Sequence, residues 1–528
     1  MLSLPRSLVR ILIPFLLTAA GLASCGKGAV DAATESTGGV RDHGLNKAAL
    51  GLWWGSGCPE FGACGCDGSR DVAEEFTCQM DHLKAYDIPV SVYLFDGSAW
   101  SARDSSATNS CSGDDCCSWK LGDSIIRRMS QDRVRALVHF WGGCHSEEQY
   151  ARVRAQLGPS LLGFYLDDGS SDDDLRGVDE FMSDQQPGNW ETVAKAYQTR
   201  APATTNVGLA QLANVAYVGD LSHDFAGMRE GFKRIVAKSE FLPAPYNEFT
   251  GYAFQNPDPP DEETFIRRLH FGAFQPVMAH TPYANSDPWR PEYSAALLRA
   301  FRYYTWLHKE LGPYFLSYAI RMHESPDLPV IRAGPGSYTL SVGNEIFAPL
   351  VTDAVRNLNI TLPGGPWVDY WDEQRLVSGS INGEPVPLGH EPIFLRLGSI
   401  IPMEVERDYT GHGTRESEGS LTVLVYPSGT STFRYYEDVT ATWTTFTSAQ
   451  SGDALTLTAE PLPKEPILYR IARVNSRPRS VGIEGSKVLV NQGGDTSEQT
   501  SEVLVNASPD AAWYYDAAAK RLIVKAPN

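Results

Sequence analysis

Acidic side chains stand at the ends of several short apolar segments of this chain. In "GFYLDDGSSDDDL", an apolar run ends at Asp167 and Asp168, and a further acidic cluster follows. Asp96 and Asp220 end similar runs, and Glu248 follows another. Adjacent carboxylates repel one another, so a solvated loop alone gives little reason to place them directly after a buried strand. The pattern favours a reactive site over a solvated surface.

Paired carboxylates without other catalytic motifs indicate the cleavage of glycosidic bonds. One carboxylate attacks the anomeric carbon or activates water, and the other protonates the leaving oxygen. The chain has no Walker-type glycine loop for phosphoryl transfer and no G-x-S-x-G motif for a serine hydrolase. We expect no metal ion and no cofactor. The alternative for each acidic residue taken alone is a surface carboxylate or a helix cap.

The elements that must position these carboxylates alternate between apolar segments and segments of helical spacing. This pattern predicts a (βα)8 TIM barrel over residues 48–324. The predicted strands lie within Ala48–Gly55, Pro89–Asp96, Val134–Gly142, Leu161–Asp168, Thr204–Ala210, Val215–Asp220, Phe241–Asn247 and Gln275–His280. Because the C-terminal ends of barrel strands meet at one rim, the acidic residues and His280 should converge there.

After about Met322, short alternating segments with frequent Pro and Gly replace this pattern. Strands at this density are typical of β-sandwiches. We predict two antiparallel β-sandwich domains, at 325–408 and 409–528, and one of the strands predicted in the second is "SEVLVN". The predicted fold class is therefore α/β, a (βα)8 TIM barrel followed by two C-terminal antiparallel β-sandwich domains.

Charge and length restrict the function further. The 528 residues predict two to four domains. Lys and Arg number 45 against 64 Asp and Glu, which gives a net charge of -19. Such a surface repels nucleic acid and anionic lipid, whereas a neutral oligosaccharide is indifferent to it. We therefore expect an oligosaccharide or α-glycoside partner and no nucleic acid.

The first 25 residues predict export. Two arginines precede an apolar run that is too short to span a membrane, and small residues follow it. The end of this segment, "LASC", resembles a bacterial lipobox, which implies cleavage before Cys25 and a lipid on its thiol. The alternative is an ordinary cleaved signal peptide and a secreted protein. Residues 26–47 are small and polar, as in a tether, so the predicted location is the bacterial cell envelope.

Eight further cysteines lie in one stretch of the chain. Their even number and the predicted export favour disulfides. A zinc site is the alternative, although the spacing is not that of a zinc ribbon or finger. They are Cys58, Cys64, Cys66, Cys78, Cys111, Cys116, Cys117 and Cys144.

Five passages of the chain resemble glycoside hydrolase family 31. Four of them, "LKAYDIPVSVYLFD", "GFYLD", "VGDLSHDFAGMREGF" and "RRLHFGAFQPVMAH", are similar to parts of the family's barrel. The fifth runs from "RYYTWLHKELGPYF" to "IFLRLGSIIPM" and is similar to the start of its C-terminal sandwich. The resemblance implies that Asp167 is the catalytic nucleophile and Asp220 the general acid/base.

The same resemblance implies a set of sugar-binding residues. Asp96, Glu248 and His280 would contact sugar hydroxyls, and the pocket would be lined by Trp54, Trp141 and Tyr165. Two arginines common in the family's pocket are replaced by Thr204 and Ala279, so the identity of the sugar is not implied.

The expected function is an exported retaining α-glycosidase similar to α-glucosidases, acting through a covalent intermediate. Two alternatives remain open: a catalytically decayed carbohydrate-binding surface protein, and a transglycosylase with the same site.

Overall fold

A computed structural model provides the coordinates of the chain. It describes residues 47–55, 72–95, 122–140, 153, 155–166, 193–195, 215–217, 222–237, 247–248, 261–280, 286–324 and 329–527. The predicted signal segment, Cys25 and seven of the eight other cysteines lie outside these ranges, as do the predicted site residues Asp96, Trp141, Asp167 and Asp220. Predictions about these residues stay predictions.

Eight parallel strands form one sheet, in the order β6-β5-β4-β3-β2-β1-β8-β7. The strands are β1 (Leu52–Gly55), β2 (Val92–Phe95), β3 (Arg135–Phe140), β4 (Leu161–Leu166), β5 (Val193–Lys195), β6 (Val215–Tyr217), β7 (Asn247–Glu248) and β8 (Met278–His280). The helices are α1 (Val72–Ala85), α2 (Asp123–Asp132), α3 (Phe225–Ala237), α4 (Glu262–Ala273), α5 (Ala295–Glu310) and α6 (Gly312–Glu324).

This strand order is that of a (βα)8 barrel, since neighbours in sequence are neighbours in the sheet and β1 pairs with β8. No pairing of β6 with β7 occurs among the described residues, so the order supports a barrel without showing its closure. The fifth strand is Val193–Lys195, whereas the sequence pattern predicted it at Thr204–Ala210, which lies outside the described ranges.

Alternate residues of the sheet pack into two separate clusters, as expected for strands covered on both faces. One cluster contains none of the described residues of α1 to α6 and lies on the face away from these helices. It includes Trp53, Val92, Leu94, Leu137, Leu162, Val277 and Ala279. The other packs against the helices, and its strand members include Leu52, Trp54, Tyr93, Phe95, Val138 and Met278. We call the first face the inner face and the second the helix face.

The helices pack through apolar side chains that recur at helical spacing. Met228 and Ile235 of α3 are buried, and so are Phe301 and Tyr304 of α5. None of the described helices has the length and apolar character needed to cross a membrane.

Beyond α6 the described chain is almost entirely β. Its strands are β9 (Ile331–Ala333), β10 (Thr339–Val342), β11 (Ile346–Pro349), β12 (Asn357–Thr361), β13 (Trp367–Asp369), β14 (Leu376–Val377), β15 (Ser380–Pro385), β16 (Phe394–Arg396), β17 (Ile400–Met403), β18 (Leu421–Val425), β19 (Thr430–Glu437), β20 (Thr442–Ser451), β21 (Ala454–Glu460), β22 (Ile467–Ile471), β23 (Val481–Glu484), β24 (Lys487–Val490), β25 (Ser497–Glu498), β26 (Ala512–Asp516) and β27 (Arg521–Ala526). A short helix, α7 (Glu502–Ala507), precedes β26.

These strands form four sheets, with the orders β14-β13-β16-β11-β10-β9, β12-β15, β17-β18-β22-β27-β26-β25 and β19-β20-β21-β24-β23. The sequence pattern placed β17 in the first sandwich, but this strand pairs with β18 of the later sheet. The chain crosses between the sheets at Gly398, whose φ of 96° is available to glycine.

Two further details correct the prediction of purely antiparallel sandwiches. β18 pairs with β22 in parallel, and β25 pairs with β26 in parallel. "SEVLVN" is not a strand but forms α7, because Ser501 accepts a hydrogen bond from the Leu504 N–H and so caps the helix.

A buried carboxyl group lies where α5 meets the chain after β17. Glu310 is the last residue of α5 and is 0% exposed, and its Oε2 accepts a 2.6 Å hydrogen bond from the Thr410 hydroxyl. Burial raises the pKa of Glu310 to about 8, and the charge of Glu406 adds to this effect while Lys309 and Arg470 oppose it. The protonated form is therefore the one that the folded protein prefers.

We predict that the folded protein loses stability as the pH rises from 4.5 to about 8. The pKa of Glu310 is about 8 in the folded protein and 4.5 in the unfolded chain, so the stabilisation from its protonated carboxyl group is complete only below pH 4.5 and is lost by about pH 8. Glu310→Gln, which keeps the shape and removes the charge, should flatten the dependence of Tm on pH between 5 and 9. Glu484→Gln, at an exposed position of β23, serves as the control. Parallel curves for the wild type and Glu310→Gln would contradict the prediction.

Candidate functional site

The ends of three strands carry the predicted catalytic and sugar-binding aspartates. Asp96 directly follows β2, Asp167 directly follows β4, and Asp220 comes three residues after β6. These strands are parallel members of one sheet, so their C-terminal ends lie along the same edge. The aspartates themselves lie outside the described ranges.

The register fixes how β4 and β6 relate to each other. Leu166 of β4 pairs with Ala194 of β5, and Ala194 pairs with Ala216 of β6. The last residues of the two strands are therefore nearly level, with one strand between them. Neighbouring strands are about 4.8 Å apart, so β4 and β6 are separated by roughly 10 Å.

Two other predicted residues lie inside strands, where their backbone pairings are known. Tyr165 of β4 pairs with His139 of β3 and with Val193 of β5. Glu248 of β7 pairs with Ala279 of β8. Both residues therefore belong to the sheet whose edge carries the aspartates.

The structure brings Trp54 and His280 together, but on the helix face. They are paired across β1 and β8, and their ring centroids are 4.5 Å apart. The imidazole of His280 also stacks on Phe265 of α4 at 5.9 Å and contacts Phe301 of α5 at 5.2 Å. Both residues are 0% exposed.

Hydrogen bonding and electrostatics agree with a packing role for this pair. The indole nitrogen of Trp54 donates to Gln79 Oε1 at 3.1 Å, and the Tyr93 hydroxyl donates to the same oxygen at 2.6 Å. Burial lowers the pKa of His280 to about 3, so its imidazole is neutral at physiological pH. Both side chains thus lie on the helix face, next to α4 and α5, and the contact of Trp54 and His280 with a sugar stays a prediction.

The inner face carries different residues, which the sequence prediction missed. Trp53, one residue before Trp54, is 1% exposed in the inner-face cluster, and its indole nitrogen donates to the Ala49 carbonyl at 3.0 Å. Ala279 lies on this face in place of His280. Side chains alternate between the two faces of a strand, so Trp53 and Trp54 point to opposite faces. The sequence alone does not specify which of the two points to the inner face.

The described residues contain no group of three or more His, Cys, Asp or Glu side chains arranged to hold a metal ion. Of the eight cysteines predicted to form disulfides, Cys78 on α1 is the one that is described, and it is disulfide-bonded. Its partner is not among the described residues, so the connectivity stays a prediction.

Two named enzymes are similar in sequence to parts of this chain. Isomaltosyltransferase of Sporosarcina globispora is 27% identical over 293 residues, which are 50% of this chain and 26% of that protein. Alpha-glucosidase 2 of Bacillus thermoamyloliquefaciens is 27% identical over 215 residues, 35% of this chain and 27% of that protein. The chain thus spans about a quarter of the length of each of these relatives. No family model matches the chain.

A solved structure shows the shared fold. The GH31 dextranase of Flavobacterium johnsoniae in complex with glucose superimposes with a TM-score of 0.67 at 16% sequence identity. The match covers 91% of this chain and 69% of the dextranase chain.

We predict that His280→Phe leaves KM for an α-glycoside within about twofold of the wild type, because the ring at this position packs between helices. The larger ring should lower the free energy of unfolding by about 1–3 kcal/mol, measured by urea denaturation. Asp96→Asn is the matched comparison and should raise KM by at least about tenfold, since a lost sugar contact of about 1.4 kcal/mol has that effect. An equal rise in KM for His280→Phe would contradict this prediction and show that His280 contacts the sugar.

Proposed function

We propose that this chain, a relative of the glycoside hydrolase family 31 proteins, is a retaining α-glycosidase that hydrolyses α-linked oligosaccharides. The observation that carries this proposal is the arrangement of β4 and β6. The strands that lead to Asp167 and Asp220 are parallel, end almost level and have one strand between them. Carboxylates held on such strands can approach each other to the separation of about 5–5.5 Å that retention requires.

The proposed mechanism uses both aspartates twice. An oxygen of the Asp167 carboxylate attacks the anomeric carbon, the bond from this carbon to the leaving oxygen breaks, and Asp220 gives its proton to that oxygen. Asp220 then takes a proton from water as the water attacks the same carbon, which releases the sugar and frees Asp167. Two inversions at one carbon retain its configuration.

Asp167 is proposed as the nucleophile rather than its neighbour Asp168 because of the resemblance at "GFYLD". The family's G-x-x-x-D frame, which begins here at Gly163, ends at Asp167.

We predict that Asp167→Ala lowers kcat for an aryl α-glycoside by at least about 10⁴-fold, because no group remains to form the covalent intermediate. Asp168→Asn is the matched control, one residue away with a similar change of charge, and should keep turnover within about tenfold. A panel of aryl α-glycosides measured with the wild type first identifies the sugar. The opposite ranking of the two variants would reassign the nucleophile, and wild-type rates in both would end the proposal.

A second candidate function is transglycosylation with the same site. It is favoured by the relative named isomaltosyltransferase, which matches half of this chain. The covalent intermediate is common to both reactions, and only the acceptor that reaches it differs: water in hydrolysis, a sugar hydroxyl in transfer.

Product analysis separates these candidates. With an α-linked disaccharide as the substrate, a hydrolase releases free sugars in constant proportion as the substrate concentration rises. A transglycosylase instead forms longer oligosaccharides, whose share rises with acceptor concentration, which chromatography with mass spectrometry measures. If neither product forms while the disaccharide still binds in calorimetry, the chain is a carbohydrate-binding protein without catalysis, and the enzymatic proposal is wrong.

Export remains part of the proposal. The support is the leader sequence and its "LASC" end, which favour a lipid-anchored protein at the bacterial cell envelope.

A further inference from the structure

Two adjacent arginines of α4 are both buried, and they extend to different parts of the molecule. Arg267 and Arg268 are 0% and 1% exposed. Arg267 forms an ion pair of 2.9 Å with Glu391, which precedes β16. Arg268 Nη1 donates a 2.9 Å hydrogen bond to the carbonyl oxygen of Ser222, in the segment that connects β6 to α3. A guanidinium group stays charged when it is buried, so its acceptors have to be held in place.

The Ser222 carbonyl is confined from a second direction by Gly227 of α3. A Cβ atom at residue 227 would lie 1.8 Å from the Ser222 oxygen and 2.7 Å from its carbonyl carbon. Both atoms belong to the backbone, so no side-chain rotation could relieve the clash. Only glycine permits this approach, and the carbonyl is held between α3 and the guanidinium group of Arg268.

Asp224 completes the connection by capping α3. Its Oδ1 accepts hydrogen bonds from the Gly227 N–H at 2.8 Å and from the Ser222 hydroxyl at 2.6 Å. Although burial acts to raise it, the pKa of Asp224 is lowered by these hydrogen bonds and by the nearby charge of Arg268. The segment at Ser222–Asp224 is thus fixed to both α3 and α4.

We propose that Arg268 is a positioning residue: by holding the Ser222 carbonyl, it determines where the segment carrying Asp220 leaves the sheet. This inference rests on the proposed function, in which Asp220 is the general acid/base. Asp220 is two residues from Ser222, so the two Cα atoms are at most about 7 Å apart. Proton transfer needs a heavy-atom distance of about 2.6–3.2 Å, and a displacement of 1 Å can cost about a hundredfold in rate.

The test compares two substrates that differ in their need for the proton. Phenyl α-D-glucoside has a poor leaving group that the acid must protonate, whereas fluoride leaves α-D-glucosyl fluoride without this help. If the wild type turns over another sugar, the corresponding phenyl glycoside and glycosyl fluoride replace them. The quantity measured is kcat/KM, which reports the steps up to formation of the covalent intermediate.

Arg268→Met should lower kcat/KM for the phenyl glycoside at least about tenfold more than for the fluoride, because a misplaced acid forfeits part of its 10²–10⁴-fold contribution. Gly227→Ala, which displaces the same carbonyl from the other side, should show the same selective loss. This variant replaces Arg268→Met in the test if Arg268→Met does not fold. Arg267→Lys, at the neighbouring buried arginine, controls for general destabilisation and should lower both values in parallel.

Equal losses on both substrates, or no loss, in Arg268→Met and Gly227→Ala would overturn the positioning role. Asp220→Ala separates this failure from failure of the proposed function. If Asp220→Ala shows the selective loss and the positioning variants do not, only the role of Arg268 is wrong. If Asp220→Ala shows no selective loss, the acid/base assignment and the positioning role are both wrong.

Discussion

The parallel register of the eight-stranded sheet is the constraint on which the rest of the structure depends. It places the C-terminal ends of β2, β4 and β6 along one edge and makes the ends of β4 and β6 almost level. Strand ends that are far apart in sequence therefore lie along the same edge of the sheet, which interactions between neighbouring residues of the chain could not achieve. The side chains of β1, β2 and β8 are all buried, and alternating residues of β1 and β2 pack on the inner face and the helix face, which holds the register of these strands.

Helices α4 and α5 connect this sheet to the β-rich part of the chain. Arg267 of α4 pairs with Glu391 and donates to the Val386 carbonyl at 2.7 Å, and the Tyr304 hydroxyl of α5 donates to the other oxygen of Glu391. Burial raises the pKa of Glu391, although Arg267 and Tyr304 act against this effect. Removing one partner of such a buried pair typically costs 3–5 kcal/mol, because a buried charge is then left unpaired. Helix α4 also holds the segment that follows β6. The same helix therefore contacts both the β-rich part of the chain and the segment next to the proposed site.

The sequence predicted the strand series well where periodicity was strong and poorly where neighbouring signals competed. The strands at β1 to β4 lie within the predicted segments, because each is an apolar run followed by a helical pattern. The sequence did not specify which of Trp53 and Trp54 faces the inner side of the sheet, since two consecutive tryptophans satisfy either alternation. "SEVLVN" has the composition of a strand, yet the Ser501 cap makes it a helix. Long-range pairing decided the membership of β17, which no local pattern encodes. Whether Asp167 and Asp220 face one sugar depends on tertiary geometry that residue types alone do not specify.

Trapping of the covalent intermediate tests the central claim most directly. A 5-fluoro-α-glycosyl fluoride of the preferred sugar forms the glycosyl-enzyme quickly and releases it slowly, so intact mass spectrometry detects one added sugar per chain. Peptide mapping should locate that sugar on the carboxylate of Asp167, which is the residue directly after β4. A label on Asp168 or on any other residue, or turnover of the reagent without any trapped species, would contradict the account.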